Sequence, residues 1–76
     1  MRTSLLKLGK AIRFIRLEIG LSQEELADRC GFDRTYISML ERGKRNPSLV
    51  NLLRLAKGLG TSLTTLLRSL DGTETN

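Results

Sequence analysis

The sequence of 76 residues predicts an all-α fold, a compact domain of five helices, from three observations. Apolar residues recur at intervals of three and four, the spacing that places side chains on one face of a helix. Ser or Asp precedes most of these periodic stretches and Gly follows them, in the positions of helix caps. The only proline, Pro47, biases Asn46 away from helical geometry and so separates two of the stretches.

The first helix is predicted to span about residues 5–19, and Gly20 stops it. The candidates for its N-cap are Thr3 and Ser4. Its apolar face steps by four, three and four through Leu8, Ile12, Ile15 and Ile19. Phe14 and Leu17 lie off this face, and we expect them to make a second contact with the later helices.

Residues 23–42 predict two short helices around one sharp turn. Ser22 with Glu25 three residues later forms a capping box at the start. Gly31 can end the first helix in a left-handed conformation, and Asp33 can cap the second. The predicted inward positions are Leu26, Ala27, Cys30, Ile37 and Leu40. This arrangement is typical of a DNA-binding helix-turn-helix.

Two more helices follow in the leucine-rich part of the chain. Ser48 can cap a fourth helix, which ends at Gly58 or Gly60. Its predicted apolar positions are Leu49, Leu52, Leu53 and Ala56. Ser62 can cap a fifth helix that carries Leu63, Leu66, Leu67 and Leu70. Residues 1–70 are thus predicted to form one domain, and the polar residues 71–76 a disordered tail.

Composition restricts the function. Thirteen basic against eight acidic residues give a net charge of +5, which favours a polyanionic partner. The chain has no histidine, no base beside the lone Cys30, no glycine-rich phosphate loop and no acidic metal cluster. We therefore predict no catalytic residues, no metal or other cofactor and no small-molecule ligand. No apolar run approaches the roughly 20 residues that span a bilayer, and a core thiol suits a reducing cytoplasm.

The segments GLSQEELA, GFDRTYIS and LERGKRNPSL, at their spacing here, resemble the lambda-repressor-like, Xre/Cro-type helix-turn-helix regulators from about Leu8 to Leu67. The tract DRTYIS followed by ERGKRN is most similar to the small controller proteins of restriction-modification systems. The resemblance implies a transcriptional regulator that binds double-stranded DNA as a homodimer on a pseudo-palindromic operator, either a controller protein or a phage-type repressor. It also implies a structural ion pair between Arg16 and Glu41.

A helix-turn-helix lays its second helix in the major groove, with the N-terminal residues toward the base edges. The predicted base-contacting residues are Arg34, Thr35, Ser38 and Met39. The predicted phosphate-contacting residues are Gln23, Tyr36, Arg42, Lys44, Arg45 and Asn46. For Ser38 the alternative is an exposed helix serine, and for Arg42, Lys44 and Arg45 it is simple solvation.

The last two helices hold more leucines than one side of so small a core needs. We expect the surplus to form a twofold dimer patch from Leu53, Leu59, Leu63, Leu66, Leu67 and Leu70, unless all six are internal. Two other classes of protein stay open. One is an antitoxin-type module that binds DNA and a protein partner. The other is a pure protein-interaction domain, against which the basic stretch from Arg34 to Asn46 argues.

Overall fold

The computed structural model describes residues 2–71, and all regular secondary structure in that range is helical. The helices are α1 (Arg2–Glu18), α2 (Gln23–Cys30), α3 (Arg34–Glu41), α4 (Leu49–Leu59), α5 (Leu63–Leu67) and a 3₁₀ helix (Arg68–Leu70). The predicted all-α fold of five α-helices is confirmed. Within these residues no helix is long and apolar enough to span a membrane. Of the predicted tail, residues 72–76 lie outside the described residues.

One core lies between the helices, and each α-helix contributes to it. The largest fully buried side chains are Ile12, Leu26, Ile37, Leu40, Leu55 and Leu66. α2 and α3 pack against each other, while α1 supports α3 and α4 supports α2 from behind. Cys30 is buried as predicted, and burial raises the pKa of its thiol. The helix-turn-helix is therefore held from the side opposite its exposed surface.

The start of α2 carries the predicted capping box. Ser22 Oγ accepts a hydrogen bond from the backbone N–H of Glu25 at 3.0 Å, and the Ser22 N–H donates to Glu25 Oε1 at 2.8 Å. The backbone N–H of Ser22, followed by its side chain, lowers the pKa of Glu25. The charged carboxylate consequently stabilises the folded state at neutral pH, and this contribution is lost as the pH falls through the lowered pKa.

The other caps follow the sequence with one difference. Ser48 and Ser62 each accept a backbone hydrogen bond in the first turn of α4 and α5. Gly31, with φ of 75°, ends α2 in the left-handed conformation. Asp33 occupies the N-cap position of α3 with extended backbone, but its side chain makes no capping hydrogen bond. The predicted start of α3 was therefore right, although the expected side-chain cap is absent.

The first helix differs from its prediction at both ends and on its outer face. α1 begins at Arg2, so Thr3 and Ser4 lie inside the helix instead of capping it. Ile19 lies beyond the end of α1 and is exposed. The expected second contact buries little of Phe14 or Leu17, since their side chains are 65% and 54% exposed, although Phe14 borders a groove formed with α5 and the 3₁₀ helix. Phe14 lies two residues from the buried Ile12, about 200° around the helix, and so points away from the core.

The fourth helix is rotated relative to its prediction. Leu55 is fully buried and was not among the predicted apolar positions. Leu49 and Leu53, which were, are exposed. α4 ends at Gly60, while Gly58 lies within the helix against Cys30. In a helix with leucines on several sides, the packing of neighbouring helices decided which side faces inward.

Candidate nucleic-acid interface

The first turn of α3 carries exposed side chains on the outer side of the helix-turn-helix. Arg34 and Thr35 are exposed in its first turn, whereas Ser38 and Met39 are half-buried one turn later. Ile37 and Leu40 are buried on the opposite side of the same helix. The packing of these two side chains orients α3 so that its first turn projects from the domain.

The other end of α3 is tied to α1 by an ion pair between Arg16 and Glu41. Arg16 Nε lies 2.6 Å from Glu41 Oε2, and Nη2 donates to Oε1 at 2.9 Å. Arg16 Nη1 also donates to the carbonyl of Leu21 at 2.9 Å. The hydrogen bonds to Glu41 raise the pKa of the Arg16 guanidinium. Two hydrogen bonds thus join Arg16 and Glu41, and both side chains are almost fully buried. This is the structural ion pair that the resemblance implied.

Gln23 joins this pair at the start of α2. Its Nε2 donates to Glu41 Oε1 at 3.1 Å, a contact that the sequence did not predict. An amide NH₂ group carries two hydrogens, so this bond leaves one for an outside acceptor. Gln23 therefore connects the first turn of α2 to the end of α3 while keeping donor capacity at the surface.

Tyr36 lies in a small polar and aromatic cluster beside α3. Its hydroxyl accepts a hydrogen bond from Asn51 Nδ2 at 3.0 Å, and its ring meets the Phe32 ring edge-on at 4.9 Å. The guanidinium of Arg45 lies 5.0 Å from the centre of the Tyr36 ring. Asn51 and Phe32 were not predicted as neighbours of this site. Asn51 is 15 residues from Tyr36, and no local pattern indicates such a contact.

The loop after α3 brings several basic residues to the same side of the domain. Arg42, Lys44, Arg45 and Asn46 are exposed. Arg42 Nε donates to the carbonyl of Ser38 at 3.3 Å, and the backbone N–H of Lys44 donates to the carbonyl of Met39 at 2.9 Å. These bonds define how the backbone leaves α3, so the loop keeps its basic side chains on the same side of the domain as α3.

Arg54 supports the turn between α2 and α3, a role that the sequence did not predict. Its Nη2 donates to the carbonyl of Gly31 at 2.8 Å and its Nε to the carbonyl of Cys30 at 3.1 Å. The guanidinium also lies 4.3 Å from the centre of the Phe32 ring. A cation commonly binds the free carbonyls at a helix C-terminus, but here it comes from another helix. Only the packing of α4 on α2 reveals it.

The predicted dimer patch is corrected by the structure. Leu59 and Leu66 are 2% and 0% exposed, so they belong to the core and cannot contact a second protein. Leu63, Leu67 and Leu70 are half-buried, and Leu53 is the only exposed member of the six. Leucine spacing alone could not separate core from surface in this region.

A family model described as helix-turn-helix matches residues 12–66 of the chain. The chain belongs to the helix-turn-helix family. It is accordingly a DNA-binding transcriptional regulator and not an enzyme. The residues matched include both helices of the predicted DNA-binding unit and the buried ion pair that supports them.

Individual relatives include restriction-modification controller proteins. The control protein C.MunI from a Mycoplasma species is 42% identical over 67 residues, covering 87% of this chain and 90% of that protein. The uncharacterized HTH-type transcriptional regulator y4dJ of Sinorhizobium fredii is 45% identical over 65 residues, covering 86% and 84%. The crystal structure of the restriction-modification controller protein C.AhdI from Aeromonas hydrophila has a TM-score of 0.82 and 47% identity, covering 84% of this chain and 97% of that one. The predicted resemblance is confirmed.

Proposed function

We propose that this regulator acts as a homodimer on a pseudo-palindromic operator, as a controller protein of a restriction-modification system. The observation that carries the proposal is that the first turn of α3 is exposed while the C-terminal end of the same helix is anchored by the buried pair of Arg16 and Glu41. A rigidly held recognition helix can present its side chains to bases with little loss of conformational freedom on binding. The similarity to C.MunI and C.AhdI supports the controller role.

Base reading is assigned to the exposed face of α3. Arg34 can donate two parallel hydrogen bonds to O6 and N7 of a guanine. Thr35 can form a hydrogen bond or offer its methyl group to a thymine. Ser38 is short and permits close approach, and Met39 can add only apolar contact. Because Ser38 and Met39 are half-buried, Arg34 and Thr35 carry most of the proposed discrimination.

Backbone contacts are assigned to groups on either side of that helix. Gln23 stands at the N-terminus of α2, where backbone N–H groups and its free amide hydrogen can meet one phosphate. The remaining candidates surround the loop after α3: Tyr36, Arg42, Lys44, Arg45 and Asn46. Such contacts set the position of the protein on the duplex without reading its sequence.

The dimer contact is assigned to an exposed apolar face of α4 formed by Leu49, Val50 and Leu53. These side chains are 63%, 64% and 50% exposed, and their spacing places them together on one side of the helix. α4 begins shortly after the basic loop, so a twofold contact there would bring two basic loops together near the DNA. A second copy is therefore the occupant that suits both the apolar face and a palindromic site.

Leu53→Asp is expected to yield a folded monomer that binds the operator weakly, since a charge would be buried in the proposed interface. Sedimentation equilibrium with wild type and variant measures the change in association. Phe14→Asp is the matched control, because it places the same charge at another exposed apolar position, on α1. Equal association of both variants would remove α4 as the interface, and a wild type that is monomeric at operator-binding concentrations would refute the dimer.

Arg34→Ala and Lys44→Ala are expected to weaken DNA binding in different ways. Arg34→Ala should reduce the free energy of binding to the operator by about 1–3 kcal/mol and to random DNA by much less, because base readout requires the correct base edge. Lys44→Ala should weaken binding to operator and to random DNA by a similar amount. It should also reduce the slope of log affinity against log salt by about one. Sites selected from random DNA supply the operator, and titrations at several salt concentrations give the slopes.

Arg34→Lys is the control that keeps the charge while removing the forked pair of donors. It should lose most of the specificity that Arg34→Ala loses while retaining the wild-type salt slope. An equal loss for Arg34→Ala on operator and random DNA, with a reduced slope, would make Arg34 a phosphate contact. Base reading would then move to Thr35 and Ser38.

A further inference from the structure

A groove lies where the N-terminal end of α1 meets the loop after the recognition helix. Its volume is about 280 Å³, and its lining residues are Arg2, Leu6, Arg42, Gly43 and Lys44. Two of them, Arg42 and Lys44, are already among the proposed phosphate contacts. Arg2 is not, since it precedes the predicted start of the first helix and the segment that resembles the family.

The contact between Leu6 and Gly43 builds this groove. A Cβ placed on Gly43 would lie 2.8 Å from Leu6 Cδ2 and 3.1 Å from Leu6 Cα, so only glycine allows α1 to approach the loop this closely. Gly43 also has φ of 71°, a backbone conformation that other residues rarely adopt. The packing thus fixes Arg2, one turn before Leu6, beside the basic loop.

The charge of the groove has one sign. Arg2, Arg42 and Lys44 are exposed cations, and no carboxylate of the described residues lines the groove. The acid nearest to it in sequence, Glu41, is turned inward and bonded to Arg16. Three cations without a carboxylate among the lining residues form a site for an anion with several acceptor oxygens.

We propose that this groove binds a backbone phosphate of the DNA and that Arg2 is part of the DNA interface. The inference rests on the proposed function and extends the footprint outward from the loop after α3. The groove is open and its cations are on flexible side chains, so a free phosphate would be held weakly. When a duplex is already bound by α3, its backbone phosphates are present near the groove at high effective concentration. A DNA phosphate is therefore favoured over a free phosphate ion as the ligand.

Arg2→Ala is expected to weaken binding to random and operator DNA by the same factor. It should reduce the slope of log affinity against log salt by about 0.9, the value for one phosphate neutralised. The fold reduction in affinity that Arg2→Ala causes at low salt should therefore become about 3.5 times smaller when the salt concentration is raised about fourfold. Arg2→Lys, which keeps the charge, should restore most of the slope. Fluorescence anisotropy with labelled duplexes measures these values.

Arg68→Ala is the matched control, because it removes one exposed arginine from the groove on the opposite edge of α1, beside Phe14 and Ile15. It should leave the slope unchanged. A methylphosphonate scan of the operator supplies the second arm. One neutral substitution outside the base-reading segment should weaken wild type but not Arg2→Ala, as expected if Arg2 and that phosphate act as a pair.

Two results would overturn the proposal. The first is an Arg2→Ala slope equal to that of Arg68→Ala, while Lys44→Ala still shows its loss on the same duplexes. In that case the proposed function stands and only the role of Arg2 fails. The second is that inorganic phosphate shifts the amide NMR signals of Gly43 and Lys44 in wild type but not in Arg2→Ala, with DNA affinity unaffected by the substitution. The site would then take free phosphate. Failure of wild type to bind any duplex would reject the proposed function itself.

Discussion

Glu41→Ala is expected to lower the free energy of unfolding by about 3–5 kcal/mol, because it leaves the Arg16 charge buried without a partner. The two side chains are only 9% and 4% exposed, so solvent can replace little of the lost interaction. Arg16→Ala should have a similar effect by leaving the Glu41 carboxylate with Gln23 as its remaining side-chain donor. Urea unfolding followed by circular dichroism measures both variants.

Two further variants separate the buried pair from a general loss of charge. Glu18→Ala removes an exposed carboxylate from α1 and should change the unfolding free energy by about 0.5 kcal/mol or less. The double variant Arg16→Met with Glu41→Leu should recover much of the lost stability, since it leaves no unpaired charge in the interior. Unchanged unfolding of both single alanine variants would show that the pair contributes nothing to stability.

Gly9→Ala is expected to destabilise the fold by about 1–3 kcal/mol, the usual cost of forcing extra volume into a packed interior. The sign is opposite to that of helix propensity, which favours alanine over glycine by about 1 kcal/mol. A Cβ on Gly9 would lie 2.5 Å from the carbonyl oxygen of Leu40 and 2.6 Å from that of Glu41. Both are backbone atoms of α3, so relief requires a shift of the whole helix and strains the pair between Arg16 and Glu41.

Lys10→Ala is the control for this substitution, because it introduces alanine at the adjacent, exposed position of the same helix. Its effect should be near zero or slightly stabilising. Urea unfolding of the two variants gives the difference directly. A Gly9→Ala protein that is more stable than wild type would mean that propensity outweighs the contact and that α1 can move away from α3 at little cost.

The elements predictable from the sequence are those set by interactions among near neighbours. The capping box of Ser22 and Glu25, the turn at Gly31 and the serine caps of α4 and α5 each depend on residues within a few positions of one another. The exposed first turn of α3, with Arg34, also follows from local apolar spacing. The pair between Arg16 and Glu41, 25 residues apart, was available only through the resemblance to known regulators.

The inward faces of the leucine-rich helices required the tertiary structure. α4 has leucines on several sides, so its periodicity is compatible with more than one buried face. Its packing against α2, α5 and α1 selects Leu55 over Leu49. The same packing buried Leu59 and Leu66, which had been predicted at a dimer surface.

Helix-to-helix contacts also decided what the sequence left undetermined at Gly9, Arg54 and Arg2. Glycine within a helix indicates local weakness unless a second backbone is known to pass beside it, as α3 does here. Nothing in the sequence distinguishes Arg54 and Arg2 from other arginines. The neighbours of Arg54 lie at the end of α2, and those of Arg2 lie in the loop after α3. Local hydrogen bonds and steric preferences thus determined where the helices begin and end. Close packing between segments distant in sequence determined which side chains stay in solvent and which come together at the proposed DNA-binding surface.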